Sequence, residues 1–339
     1  MLLNLKTCAK SAFLPILAFA GLGVLSLFFQ DLFNPYIQQI IIYGCINIIL
    51  AVSLNLVNGF TGQFSIGHAG FMAAGAYTAA FLTKDMGGYL GGVLGAEGAG
   101  GILAGLEFFI NTIAGGLVAA FVGFLVGLPS LRLKGDYLAI VTLGFGEIIR
   151  VVLLNMESVG GARGMYGIPK VVGFYWASSW AFLTILVTWR LVRSSYGRSY
   201  LAVREDEIAA ESVGINTTGA KTQAFVISSF FAGVAGSIFA HYLAYLNPSS
   251  FTFMKSIDVV VMVVLGGMGS ISGSVIAALI ITVLPEALRP LQEITKIDFR
   301  MVIYSLTLVL LMLTRPQGLF GHREITDFFK KQFQRRKAS

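Results

Sequence analysis

The chain has 339 residues, of which 56% are hydrophobic and only 12% are charged. Soluble globular domains carry about 25% charged residues, so this composition excludes an ordinary soluble enzyme. The formal net charge of +7 does not indicate nucleic acid binding, because the basic residues lie in short loops and in the tail, as membrane topology requires. Several apolar runs exceed the roughly 18 residues that mark a membrane-spanning helix. We therefore expect an all-α protein that crosses a lipid membrane many times.

Hydropathy predicts about ten membrane segments, some of them broken. In chain order they cover residues 13–29, 36–57, 64–83, 108–128, 137–154, 173–191, 223–246, 257–266, 273–288 and 299–314. The run 257–288 is too long for one span, and the stretch LGGMGSISG divides it. The glycine-rich residues 84–107 have little helix propensity and are expected to form an extracytoplasmic loop.

The distribution of lysine and arginine predicts the orientation of the chain in the membrane. With ten segments and a cytoplasmic N-terminus, 16 of the 24 lysine and arginine residues lie on the cytoplasmic side, as the positive-inside rule demands. This count requires the break at 265–273, since without it the basic tail KKQFQRRK would lie outside. We therefore predict that both termini are cytoplasmic.

The stretch GFTGQFSIGHAGF at 59–71 interrupts two long apolar runs. Asn55 precedes it, and the polar residues that we consider as candidates for lining a transport path are Asn58, Thr61, Gln63, Ser65 and His68. Non-helical backbone at membrane depth is tolerated only where it is buried in protein or lines a watery cavity. We call residues 59–71 the first break.

A second break, Leu265–Gly273, has a similar composition and adds Gly267 and Ser270 as candidates. Paired glycine-interrupted segments in the two halves of a transporter indicate the translocation site. The alternative is that these glycines only allow a tight helix–helix turn at the membrane surface. Both interpretations stay open on the sequence.

Glu147 and Arg150 lie on one face of a predicted span at i,i+3. A charge at the centre of a span costs about 2.5–3.5 kcal/mol on insertion scales, so such residues normally face the bundle interior and pair. The two residues are candidates either for a gate or for a structural ion pair.

No motif for catalysis or for a cofactor is present. The chain has no G-x-x-x-x-G-K-[ST] sequence, and its three histidines have no cysteine or carboxylate at metal-ligand spacing. We predict no catalytic residues, no metal and no cofactor in this chain, so another chain would have to supply any energy-yielding chemistry.

One short cytoplasmic helix is predicted from Tyr200 to Val213, within the stretch SYGRSYLAVREDEIAAESVGINTTGAK. Gly214 directly follows it and is expected to end the helix. Apolar residues alternate there with Arg204 and several acidic residues. A partly apolar helix outside the membrane needs a surface to dock on. The alternative is a solvated charged connector.

This loop resembles the coupling helix of ABC-importer permeases, since AAESVG at Ala209–Gly214 fits the pattern A-A-x-x-x-G with Ile208 in place of a leading glutamate. Five strings in series resemble the LivM-like permeases of branched-chain amino acid importers. They are LNLVNGFTGQFSIGHAGFMAAGAY (54–77), LRLKGDYLAIVTLGFGEIIR (131–150), REDEIAAESVGIN (204–216), VVLGGMGSISG (263–273) and RPQGLFG (315–321).

The resemblance implies a division of the chain. Residues 36–321 would form the ABC importer permease domain with its coupling loop at 193–222. Residues 1–35 would form an N-terminal span and outer loop, and 322–339 a basic cytoplasmic tail. The residues implied in coupling to the ATPase are Arg204, Glu205, Asp206, Glu207, Ala209, Ala210 and Gly214.

The resemblance also implies partners in the bacterial inner membrane. These are a LivH-like second permease, two ATP-binding subunits that hold ATP and Mg²⁺, a periplasmic substrate-binding protein and membrane lipid, with no nucleic acid. The implied substrates are branched-chain or other hydrophobic amino acids, although relatives move urea, amides or aromatic acids. The outer loop SVGGARGMYGIP at 158–169 differs from the leucine-type pattern, which leaves the substrate open.

Two other interpretations use a different source of energy. One is a secondary transporter driven by an ion gradient, and the other is a passive channel. A secondary transporter would usually carry carboxylates at its breaks, and neither break has one. The docking loop argues against a channel.

Overall fold

The computed structural model describes residues 32–86, 102–131 and 135–287 continuously. It also describes separate flanking positions: 19, 21–26, 28–29, 133, 289, 305–306, 309, 313–314, 318–319 and 321. The predicted first and last spans, 13–29 and 299–314, are described only at these separate positions, and their other residues lie outside the described part of the chain.

The described chain is built from α-helices. In order they are α1 Pro35–Asn55, α2 His68–Phe81, α3 Ile102–Ser130, α4 Asp136–Asn155, α5 Phe174–Arg193, α6 Ser195–Glu205, α7 Glu207–Ser212, α8 Thr217–Leu243, α9 Phe253–Gly266 and α10 Ile271–Ala287. π-helical turns at Leu56–Phe60 and Leu82–Met86 extend α1 and α2. Short 3₁₀ turns occur at Glu157–Val159, Gly161–Arg163 and Pro248–Phe251.

Two short strands join the loops beyond α4 and α8. β1, Met165–Tyr166, pairs antiparallel with β2, Tyr245–Leu246, so that Met165 lies opposite Leu246. The hydropathy pattern did not predict this ladder, because two-residue strands leave no periodic signal.

Five described helical segments are long and apolar enough to cross a membrane, namely Pro35–Phe60, Ala104–Ser130, Asp136–Asn155, Thr217–Leu243 and Pro248–Gly266. Ile271–Ala287 is a shorter apolar helix. A helical membrane protein with several passes is therefore confirmed. The count of ten segments and the cytoplasmic termini stay predictions.

Two local predictions were wrong. Residues 102–107, expected in the loop at 84–107, belong to α3, which begins at Ile102. The single helix expected from Tyr200 to Val213 is divided into α6 and α7, since the backbone of Asp206 is extended at φ −158° and ψ 113°. The side chain of Asp206 caps the second helix, which is how a short acidic residue ends one helix and begins the next.

α8 packs against α2 and α3 in the middle of the bundle. Their backbones meet at glycines: a Cβ placed on Gly75 would lie 2.2 Å from the Cα of Gly233, and one on Gly115 would lie 2.6 Å from the carbonyl oxygen of Gly75. Small residues allow helices in lipid to approach this closely, and dispersion contacts then hold them together.

Candidate functional site

The first break is a folded loop held by its own polar side chains. The backbone N–H of Ser65 donates to Oδ1 of Asn58 at 3.1 Å, and Nδ2 of Asn58 donates to the carbonyl of Ser65 at 3.2 Å. The hydroxyl of Thr61 donates to the carbonyl of Val57 at 2.7 Å. Asn58, Thr61 and Ser65 are buried, whereas Gln63 is partly exposed.

His68, at the first residue of α2, is also buried. Its Nε2 lies 3.0 Å from the hydroxyl of Ser53, which donates to the carbonyl of Leu50 at 3.0 Å. The next residue donates its backbone N–H to Oγ of Ser256 at 2.9 Å. α2 therefore begins inside the bundle, with its first turn fixed to α1 and α9.

Asn55, the last residue of α1, bonds the second break at a point just before the first break begins. It is fully buried, its Oδ1 accepts the backbone N–H of Gly269 at 2.9 Å, and its Nδ2 donates to the carbonyl of Ser270 at 2.9 Å. The contact leaves no space, because a Cβ on Gly59 would lie 2.3 Å from the nitrogen of Gly269. The sequence shows that both breaks are polar. Nothing near Asn55 in the sequence indicates that its amide bonds the second break.

The second break also contacts the segment that follows the predicted last span. The N–H of Leu319 donates to the carbonyl of Leu265 at 2.8 Å. Gly267 has φ +108°, and a Cβ there would lie 2.6 Å from the carbonyl oxygen of Gly321. Gly267 therefore serves a left-handed turn and a close backbone approach, both of which favour glycine. Ser270 is fully buried beside it.

Arg204 connects the cytoplasmic helices to the first break. Its Nη1 donates to the carbonyl of Gly59 at 3.2 Å, and its Nη2 lies 2.7 Å from Oε1 of Glu205. A Cβ on Gly62 would lie 3.0 Å from Cγ of Arg204. The guanidinium of this predicted coupling residue therefore bridges the exposed Glu205 and the backbone of the first break.

α7 is capped at both ends. Oδ1 of Asp206 accepts the N–H groups of Ile208 and Ala209 at 2.9 and 3.1 Å. Gly214 has φ +85°, its N–H donates to the carbonyl of Glu211, and the N–H of the next residue donates to the carbonyl of Ala210. This pair of bonds is the Schellman motif, in which glycine supplies the left-handed residue that ends a helix.

Two side-chain contacts fix α7 to the start of α8. Nζ of Lys221, which is only 3% exposed, lies 2.6 Å from Oε1 of Glu207. The hydroxyl of Thr217 donates to Glu211 at 2.6 Å. These contacts place a helix of only six residues in one orientation.

The orientation of α7 buries one of the predicted coupling residues and leaves others exposed. Ala210 is 3% exposed and packs inward, while Glu205, Asp206, Ala209 and Gly214 are exposed. Ile208 and Val213, which the sequence analysis did not select, are 71% and 76% exposed. The docking prediction requires exposed apolar residues outside the bundle, and only the structure shows that these two β-branched side chains are exposed. The docking role itself stays a prediction.

Glu147 and Arg150 form an ion pair, with Nε of Arg150 2.7 Å from Oε2 of Glu147. The other carboxylate oxygen accepts the backbone N–H of Phe253, the first residue of α9, at 3.1 Å. The pair therefore also holds the start of α9 against α4. The gate role stays a prediction.

Residues 36–312 match the family described as branched-chain amino acid transport system / permease component. The "high-affinity branched-chain amino acid transport system permease protein LivM" of Salmonella typhimurium and that of Escherichia coli are each 39% identical over 309 residues, covering 81% of this chain and 67% of the relative. The LivH permease protein of Salmonella typhimurium is 25% identical over 314 residues, covering 88% of this chain and 97% of the relative. No solved structure matches significantly.

The matched region contains both breaks and the α6–α7 pair, and the resemblance to LivM-like permeases is confirmed over most of the chain. The chain belongs to the family of permease components of branched-chain amino acid transport systems.

Proposed function

We propose that the chain is the transmembrane permease subunit of an ATP-driven importer in the bacterial inner membrane, with branched-chain or other hydrophobic amino acids as substrates. The names of the LivM and LivH relatives support the substrate class. In this proposal a LivH-like second permease completes the path, and a periplasmic binding protein delivers the substrate. The chain has no catalytic activity, and two ATP-binding subunits bind ATP and Mg²⁺.

The observation that carries the proposal is an exposed apolar pair at α7. Ile208 lies in α7 and Val213 directly follows it, and Lys221 and Thr217 hold this helix in place. Arg204, in the neighbouring helix, is bonded to the first break. A force applied to the α6–α7 pair by an ATPase would therefore reach the first break through a direct contact.

Co-purification with the ATP-binding subunits tests this role. Ile208→Glu and Val213→Glu should release the ATPase and abolish uptake, because a charge replaces the apolar contact. Met156→Glu is the matched control: Met156 is 42% exposed and lies in the loop at the opposite end of α4 from Asp136, so this variant should keep the ATPase. Retention of the ATPase by both the Ile208→Glu and the Val213→Glu variants would refute the docking role.

Substitution of Ala210 is a less specific test, because the residue is buried. A bulky side chain there would displace α7 from α8 whether or not α7 contacts an ATPase. The exposed residues separate docking from local packing.

We propose further that the two breaks line the substrate path. Gln63 is the candidate that is both polar and partly exposed. A cysteine at position 63 should react with a water-soluble thiol reagent, at a rate that changes when ATP is added. Complete protection of this cysteine in every transport state would exclude it from the path.

A further inference from the structure

Two opposite charges lie on a half-buried face of the bundle, at a place that neither break accounts for. Lys255 and Asp258 are in the first part of α9, three residues apart and therefore neighbours on the helix surface. Both residues are half-buried. Ionisable residues within membrane segments are rare, and they usually mark a path for substrate or ions.

Two independent contacts place the start of α9 beside the middle of two neighbouring helices. Nζ of Lys255 donates to Oδ1 of Asn47 at 3.1 Å, and Asn47 is near the middle of the span Pro35–Phe60. The N–H of Phe253 donates to Glu147, which is near the middle of the span Asp136–Asn155. Transporters bind their substrates near the middle of their spans, which is the level of Asn47 and Glu147 in their own helices.

Of the four charged side chains in this region, two form an ion pair with each other and two do not. Glu147 and Arg150 neutralise each other, and Glu147 also accepts the backbone N–H of Phe253 at the start of α9. Lys255 is bonded to a neutral amide, and within the described part of the chain no ion pair joins it to Asp258 and no hydrogen bond reaches the Asp258 carboxylate. The ammonium keeps donors, and the carboxylate keeps acceptors, for another molecule.

We propose that Lys255 and Asp258 recognise the two charged ends of a zwitterionic amino acid as it crosses the membrane. Lys255 binds the α-carboxylate and Asp258 binds the α-ammonium group. Neighbouring side chains on one helix turn lie about 5–6 Å apart, which allows one small molecule carrying both charges to bridge them. The apolar residues of the same exposed face, Met254 and Ile257, would lie beside the substrate side chain. This inference rests on the proposed function.

Transport by the complete importer in proteoliposomes tests it, with leucine as the probe. Uptake by the unmodified complex is measured first and tests the proposed function by itself: without ATP-dependent amino acid uptake, both proposals fail. Asp258→Asn and Lys255→Gln should then slow uptake about ten- to hundredfold, the effect of losing one charge-assisted hydrogen bond. Basal ATP hydrolysis and the amount of complex should not change. Glu286→Gln, near the end of α10 where Glu286 contacts Tyr36, is the control and should transport normally.

The double variant Lys255→Gln/Asp258→Asn separates substrate recognition from a structural charge pair. If the two residues only neutralise each other, removing both together should restore uptake that each single change impairs. If they bind substrate, the double variant should transport no faster than either single variant. Wild-type uptake by the double variant, or by both single variants, would overturn the inference while leaving the proposed function intact.

A second measurement needs no substitution. In the unmodified complex, leucine should protect Asp258 from modification by a hydrophobic carbodiimide, followed by mass spectrometry. Equal modification of Asp258 with and without leucine would count against a substrate contact even if the variants had lost uptake by misfolding.

Discussion

At the scale of single residues, the buried amide of Asn55 shows what a break in a membrane helix requires. Ending a helix leaves backbone N–H and C=O groups without partners, and in lipid no water replaces them. Asn55 supplies an acceptor to Gly269 and a donor to Ser270 of the second break. These residues lie 214 and 215 positions further along the chain. One side chain thereby satisfies two backbone groups and holds the end of α1 against the second break.

Asn55→Ala should therefore destabilise the protein, since each buried polar group left without a partner costs about 1–3 kcal/mol. The expected result is a lower midpoint of thermal unfolding for the detergent-purified chain. Asn155→Ala removes the same amide from an exposed position, where it bonds only to its own helix, and should change the midpoint little. Equal midpoints for Asn55→Ala and the unmodified chain would contradict the bridging role.

At the scale of elements, the crossing of α2, α3 and α8 depends on the absence of side chains. Gly75 and Gly233 face each other, and the backbone of α3 approaches both of them. Hydrophobic burial cannot drive this association in lipid, so close packing must supply the attraction. The positions of these glycines therefore determine how near the helices lie.

Gly75→Ala should separate the helices, because the added Cβ would lie 2.2 Å from backbone of Gly233. We expect a loss of about 1–3 kcal/mol from overpacking. Gly144→Ala is the matched control within α4, where a Cβ meets no atom within 4 Å and the alanine should even favour the helix by up to about 1 kcal/mol. The fraction of monodisperse protein in size-exclusion chromatography measures both effects. Similar profiles for the two variants would argue against close packing as the stabilising term.

At the scale of the whole molecule, the orientation in the membrane determines which loops can meet an ATPase. Positive charge predicts that the α6–α7 pair is cytoplasmic, and α4 separates this side from the loop that begins at Met156. If this orientation were reversed, the docking surface of Ile208 and Val213 would face away from ATP.

Thiol labelling in intact cells tests the orientation, in a chain whose native Cys8 and Cys45 have been replaced. A cysteine at the exposed position Ser158 should react with a membrane-impermeant reagent from outside. A cysteine at the exposed position Ser212 should react only after the inner membrane is opened. The reversed pattern would overturn the predicted topology and the ATPase docking role together.

The sequence by itself determined the class of the protein, because hydropathy and charge are local properties that each segment carries wherever it packs. Motif order also indicated the family, and capping residues such as Gly214 indicated where a helix ends. The prediction of one helix through Asp206 was wrong, because the bonds from its side chain to the start of α7 outweigh the helix propensity of its neighbours.

Only the tertiary structure decided which polar residues meet. Asn55 reaches the second break, Arg204 turns toward Gly59, and Lys255 meets Asn47. The partners in each pair are far apart in the chain, so no periodicity or spacing connects them. In an apolar environment a polar side chain is stable only where such a partner lies, and the packing of the helices alone brings those partners together.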